Sequence, residues 1–183
     1  AKHKGKLVSK ILNMSVEIEI PTETPDSLKG IYLRDHFWDN IDLTDERLAR
    51  TPIFSSKVDY YFKNLVYQIP DSIVKQASFI IDQVKDSTDM MKFLLNYVHV
   101  NYETSNIMGM DGVYVGMSLK YYCPPNENKA WWYPEQNLTD RCEKAMTWEP
   151  LLLGKVAPSI RLADTTERKW INVHELPNKH KVL

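Results

Sequence analysis

Val58-Asp59-Tyr60-Tyr61-Phe62-Lys63-Asn64-Leu65-Val66-Tyr67-Gln68-Ile69 decides the fold class. Val58, Tyr61, Phe62, Leu65, Val66 and Ile69 recur at three and four, the period of one face of a helix. Pro70-Asp71 restarts the chain, and Ile73, Ala77, Ile80, Ile81 and Val84 make a second stripe. Ser87 or Thr88 is placed to open a third, carrying Met90, Phe93, Leu94, Tyr97 and Val98. Met108 to Tyr122 reads as a fourth, although Gly109, Gly112 and Gly116 each weaken it by up to about 1 kcal/mol relative to alanine. Those glycines are expected to let a neighbouring helix approach closely.

Outward from this centre the signals are shorter. Cys123-Pro124-Pro125-Asn126-Glu127-Asn128 is a loop by composition, and a last helix is expected from about Asn137 to Trp148, ended by Pro150. Towards the N-terminus, Thr44 is the expected cap of a short helix, with Asp45 and Glu46 in its first turn. Asp26 is expected to cap a helix over Leu28, Ile31, Tyr32 and Trp38. Pro21-Thr22-Glu23-Thr24-Pro25 is a linker, and Val16-Glu17-Ile18-Glu19-Ile20 alternates like a half-exposed strand. The helices are short and similar in size, which invites a solenoid reading, but no residue signature repeats. The expected fold is therefore mainly α, an irregular antiparallel helical bundle.

Composition removes several functions. Apolar residues make up 43% of the 183, enough for a real core. With 23 basic and 24 acidic residues, no surplus argues for nucleic acid or an anionic membrane; Lys2, Lys4, Lys6 and Lys10 are only a weak patch. No apolar run is long enough for a transmembrane segment, and Leu7 to Val16 is too interrupted for a signal peptide. The chain starts at Ala1 rather than Met, so a processed or cut N-terminus is expected.

Candidate chemistry is sparse. His3, His36, His99, His174 and His180 show no metal spacing, and His36 is expected to donate to a carboxylate at most. Asp35, Asp39, Asp42, Asp45 and Glu46 lack the calcium-loop pattern and read as capping groups. No cofactor or metal is expected, and no phosphate-cradling loop is present. Asp111 either bonds within the interior or orients a substrate. Trp131-Trp132-Tyr133, close in sequence to Tyr121 and Tyr122, is the best candidate binding surface; anchoring of the long loop or packing against another domain is the favoured use. Cys123 and Cys142 are not in a Cys-x-x-Cys arrangement. Two unpaired thiols are the favoured expectation and a structural disulfide is the alternative.

Gly154-Lys155-Val156-Ala157-Pro158-Ser159-Ile160-Arg161-Leu162-Ala163-Asp164, then Trp170-Ile171-Asn172-Val173-His174-Glu175-Leu176, then Lys181-Val182-Leu183, resembles the opening of a thioredoxin-like domain of the TlpA/ResA/redoxin type. Upstream, Leu33 to Leu43, Tyr102 to Asp111, and Lys120-Tyr121-Tyr122 before a tryptophan resemble the helical domain of unknown function that precedes such a domain in exported bacterial thiol–disulfide oxidoreductases. The resemblance covers roughly residues 26–183 and leaves the first twenty outside it. It implies three parts: an N-terminal strand and linker (1–25), a helical accessory domain (26–153), and the start of a thioredoxin-like domain (154–183) with a short β-hairpin. It implies a periplasm or cell-envelope location and a role in cell redox homeostasis. The partners it implies are the remaining thioredoxin-like domain and substrate proteins with disulfides; a homo-oligomer is also open. The redox Cys-x-x-Cys follows the first central strand in that family, and neither cysteine here sits at the matching position. No catalytic residue is carried over, and the chain alone is expected to be redox-inactive. Residues 157–183 are expected to form a hairpin docked on the bundle or on another copy, because its strands present unpaired edges. Two competitors stand beside this reading: a redox-independent peptide- or protein-binding helical module, and an enzyme built on an internal Asp111/His/Tyr pocket.

Overall fold

The computed structural model describes residues 5–86, 88–125, 128–163 and 169–177. Among them are seven α-helices and one two-stranded sheet, so the mainly α reading with a short terminal hairpin holds. No helix among the described residues is long and apolar enough to cross a membrane.

The chain opens with a helix, α1 (Leu7–Met14), which buries Met14 and packs against the short 3-10 turn Glu46–Arg50. The expected strand at Val16–Ile20 is not made. Its alternation survives as half-buried Ile18 and Ile20 between exposed glutamates, but no described strand lies beside it. Helix α2 (Asp26–His36) follows Pro25, with Asp26 inside its first turn rather than capping it. It buries none of its own residues and ends before Phe37 and Trp38, whose side chains enter the core. Asp45, not Thr44, caps the next turn: its carboxylate accepts from Arg47 N at 3.2 Å.

The core is built by the next five helices. Helix α3 (Pro52–Tyr60) is capped by Thr51 and carries Pro52 at its first position, where the missing N–H costs nothing. It widens into a π-turn, Tyr61–Leu65, which keeps both Tyr61 and Phe62 buried. The stripe stops there: Val66 is extended, and Ile69 is exposed. Helix α4 spans Pro70–Ile81 and α5 spans Asp89–Glu103, capped by Thr88, whose hydroxyl accepts from Met91 N at 3.3 Å. The alternative cap, Ser87, lies outside the described residues.

Helix α6 (Asp111–Tyr121) starts later than expected because Gly109 takes a left-handed φ of 87° in the turn before it. It is the central element, packed on α4, α5 and α7 (Glu135–Trp148). The expected close approach is made on its α4 side. A Cβ at Gly112 would lie 3.1 Å from Pro70 Cβ, and one at Gly116 would lie 3.0 Å from Val74 Cγ2. Helix α7 runs into a 3-10 turn, Glu149–Leu151, that contains Pro150.

Beyond Gly154, β1 (Arg161–Ala163) pairs antiparallel with β2 (Trp170–Asn172), Leu162 opposite Ile171. The expected helical turn follows as the 3-10 segment Val173–Glu175, whose His174 N donates to Asn172 Oδ1. His174 Nε2 donates to Ala157 O at 2.8 Å, closing the hairpin on its own lead-in. The expected docking on the bundle leaves no described residue from 154 onward buried, while Leu152 and Leu153 at the junction rest on α6 and the turn before it. Each strand has three residues and only two of them are apolar, Leu162 and Ala163 in β1 and Trp170 and Ile171 in β2. The expected central strand at Lys181–Leu183 lies outside the described residues.

Candidate functional site

Cys123 and Cys142 are joined in a disulfide, with their Cα atoms 5.5 Å apart. The favoured expectation of two free thiols is therefore wrong. The Pro-rich loop after Tyr121 turns the chain back, so α7 lies against α6 and Cys142 faces Cys123 at the end of α6. Both are buried. The bond clamps one end of the α6–α7 pair and pins the loop that carries the aromatic segment.

Within that loop the three aromatic residues divide their roles. Tyr133 is half-buried and its hydroxyl donates to Asn96 Oδ1 at 3.1 Å, tying the loop to α5. Trp132 is half-buried against Tyr133, ring centroids 5.6 Å apart. Trp131 is 53% exposed, and the Lys92 ammonium lies 5.9 Å from each tryptophan ring. Anchoring thus accounts for Trp132 and Tyr133, and Trp131 alone presents its ring to solvent. Asp111 does not join them. It is the first residue of α6, where its charge faces the positive end of the helix dipole, and it has no side-chain partner among the described residues.

Beneath the aromatic loop, α5, α6 and α7 bring together His99, Tyr114, Tyr122, Arg141, Glu103 and Lys144. The His99 ring is 1% exposed, 4.5 Å from the Tyr114 ring and 5.2 Å from the Tyr122 ring. The Arg141 guanidinium lies 5.0 Å from the Tyr133 ring and 5.6 Å from that of Tyr122, a cation held by aromatic faces. Lys144 Nζ binds Glu103 Oε1 at 2.7 Å. Glu103 Oε2 stands 3.9 Å from both His99 Nε2 and Arg141 Nη1, too far for a hydrogen bond. Both His99 nitrogens, the Tyr122 hydroxyl and Arg141 Nη1 are buried without a hydrogen-bond partner among the described residues. A cavity of about 260 Å³ opens over this cluster between Tyr114, Tyr133, Asn137, Arg141 and Lys144.

Burial holds the two ring groups of the cluster, His99 and Tyr122, in their neutral forms. Burial, followed by the charges of Arg141 and Lys144, pushes His99 down to about 3, so its imidazole is neutral at pH 7. Burial raises the Tyr122 phenol well above its ordinary value, so no phenolate is available as a nucleophile. Sequence reasoning weighed His99 only for metal spacing and did not name Arg141. The available signal was a histidine on the buried stripe of α5, between Leu95 and Tyr102; Arg141 lies on a largely polar helix and gave none.

The other candidates resolve into structure. His36 Nδ1 meets Asp39 Oδ2 at 2.7 Å. Asp45 grips Arg47 and Lys10, and Lys10 also pairs with Asp42, so these acids tie α1 to the following turn. Arg47, then Lys10, hold the Asp45 carboxyl well below the usual carboxylate range, against its burial. Among the described residues no group of three or more His, Cys, Asp and Glu could hold a metal. His3, His180, Lys2 and Lys4 lie outside the described residues.

No curated protein and no solved structure matches the chain. A family model described as Domain of unknown function (DUF5106) matches residues 4–130. The match takes in α1, which the sequence reading left outside its resemblance, and runs through α6 to the edge of the aromatic segment. It covers well over half of the 183 residues, and the chain belongs to the DUF5106 family.

Proposed function

We propose that this chain is a non-catalytic helical accessory and interaction module of a thioredoxin-like thiol–disulfide oxidoreductase that serves redox homeostasis in the cell envelope. The observation that carries the reading is the hairpin Arg161–Asn172. It stands in the segment whose sequence resembles a thioredoxin-like opening, is followed by the short helical turn that opening calls for, and leaves its strands unburied, as the margin of a larger sheet. The disulfide adds support, because such bonds persist in oxidising compartments. The chain's two cysteines are both inside that buried bond, so the thiolate attack that reduces a substrate disulfide has no exposed dithiol to start from. The test is insulin reduction by this chain and by the native gene product, which this reading expects to continue beyond Leu183. The longer protein is expected to turn over, with a Cys-x-x-Cys after a buried strand roughly 10 to 15 residues on, and this chain to be inert. Comparable turnover by this chain alone, or a continuation without a redox motif, sinks the reading.

A second reading, a redox-independent peptide- or protein-binding module, draws on a different observation. A groove of about 510 Å³ runs along α5 between Arg50, Phe93, Asn96, Tyr97 and Val100, and Lys92 in its lining lies 5.9 Å from the ring of exposed Trp131. It takes precedence if the continuation carries no redox motif. The third competitor, an enzyme using Asp111 with a histidine and a tyrosine, loses its premise, since Asp111 does not line the cavity above His99.

A further inference from the structure

Between α5 and α7, buried polar atoms face one another with their hydrogen-bonding capacity unspent. Arg141 Nη1 is buried without a partner among the described residues and can only donate. Glu103 binds Lys144 through Oε1, and its Oε2 can only accept. Arg141 Nη1 and Glu103 Oε2 stand 3.9 Å apart, and His99 Nε2 lies 3.9 Å from the same carboxylate oxygen. That gap is too wide for a direct bond, but one oxygen atom about 2.9 Å from both Nη1 and Oε2 bridges it. His99, 1% exposed, offers the bridging atom a further ring nitrogen from the interior. Buried donors and acceptors left open cost free energy, so this arrangement favours an occupant that closes it.

The chemistry of the occupant follows from the two ends of the bridge. It must accept from the guanidinium and donate to the carboxylate. An ionised carboxylate only accepts and an ammonium only donates, so neither completes the bridge, whereas a hydroxyl does both. Glu103 and Arg141 both line the cavity of about 260 Å³, and the rest of its lining repeats the mixture. Asn137 carries a donor and an acceptor, Lys144 donates, and Asp140 accepts, already taking Gln136 Nε2 at 2.9 Å. Two cations and two carboxylates leave the lining without net charge, which favours a neutral ligand over an anion or a cation. Tyr114 and Tyr133 add aromatic rings, an apolar surface for C–H groups. The volume is below that of a drug-sized pocket and suits one sugar ring.

We propose that this cavity binds a neutral saccharide, one sugar hydroxyl bridging Arg141 and Glu103 and its neighbours reaching Asn137, Asp140 and Lys144. The site stands independently of the redox reading, since none of its residues belongs to the segment from Gly154 onward.

Isothermal titration calorimetry on this chain tests it with glucose, galactose, mannose and N-acetylglucosamine, and with sodium acetate as the anionic comparison. At least one of the sugars is expected to bind with a Kd of about 1 mM or tighter. The ring-nitrogen NMR signals of His99 should shift as that sugar is added, because Nε2 faces the bridged carboxylate oxygen. Arg141→Lys keeps the charge and loses the planar fork, and should weaken binding about tenfold or more. Asn137→Ala alters an exposed position, where truncation leaves the fold intact, and should weaken binding about fivefold. Sugar binding that neither substitution weakens lies elsewhere and overturns the assignment. Acetate binding tighter than every sugar makes the cavity an anion site, and an ordered water alone between Arg141 and Glu103 in a sugar-soaked crystal makes it a hydration site. Either result overturns the proposal, as does the absence of saturable binding by all of the sugars.

Discussion

The two long faces of α6 are built on opposite rules. Towards α4, Gly112 and Gly116 bring the backbone against Pro70 and Val74, with no room for a Cβ at ordinary contact distance. Towards α5 and α7, the same helix sends out Tyr114, and the chain just beyond it Tyr122, against His99, Arg141 and Lys144. The first face is close-packed at the glycines, and at its end Lys120 and Tyr121 reach Asp82. The second leaves four buried polar atoms without partners and is clamped at its end by a disulfide. Close packing holds helices through many small contacts that fail together when one is overfilled. A polar interior forfeits some of that stability and needs a covalent or charged brace.

The clamp gives the largest effect. Replacing Cys123 and Cys142 together by alanine should cost about 3 to 5 kcal/mol, as expected when a native disulfide is removed from a small domain. Chemical denaturation under identical oxidising conditions measures it. Hydrogen exchange should show where the loss falls: amides of α7 and the aromatic loop exchange faster, while those of α4 keep their protection. Uniform loss of protection across both faces breaks the contrast.

Gly116→Leu attacks the other face. A side chain there starts 3.0 Å from Val74 Cγ2, so α4 and α6 must separate. Overpacking of this kind costs about 2 to 3 kcal/mol, net of the gain in helix propensity. Coupling with Val74→Ala is the sharper measurement. The smaller partner should recover part of the loss, and a double mutant no better than the single one means that the close approach is not what limits the fit.

The close-packed face was legible in the sequence and the polar one was not. Apolar residues at three and four announce α3, α4 and α5 because burial imposes that period, and Gly112 and Gly116 announce a close approach because they carry no Cβ; the left-handed turn at Gly109 falls where the stripe predicts helix. Thr88 is readable as a cap for the same local reason. Val16–Ile20 misled because five alternating residues fit a strand only where a neighbour exists to pair with it. The π-turn at Tyr61–Leu65 has no local signature. The Cys123–Cys142 bond is not encoded in its spacing, which leaves paired and free thiols equally well formed on paper. Arg141 is invisible for a related reason. It is held by Tyr122 and Tyr133, contacts that exist only once α7 has folded back.

His99 allows the polar face to be probed without altering its packing, through pH. The groups facing it are Arg141 and Lys144 from α7 and Glu103 from its own helix, with the Tyr114 and Tyr122 rings against it. Burial first, then the two cations, depress the folded-state value to about 3, against about 6.5 in the unfolded chain. Between those values the unfolded state binds a proton that the folded state refuses. Stability therefore falls as pH drops below about 6.5, and the loss levels off below about 3. At about pH 5 the contribution is roughly 2 kcal/mol. Denaturation midpoints of this chain and of His99→Leu, measured from pH 7 to pH 5, isolate it, because other acid-sensitive groups cancel between the two. The variant should lose less stability than the parent over that range. Parallel curves mean that His99 takes up its proton as readily in the folded state as in the unfolded one, and the α5–α7 face is then open to water and charge rather than a buried neutral interior.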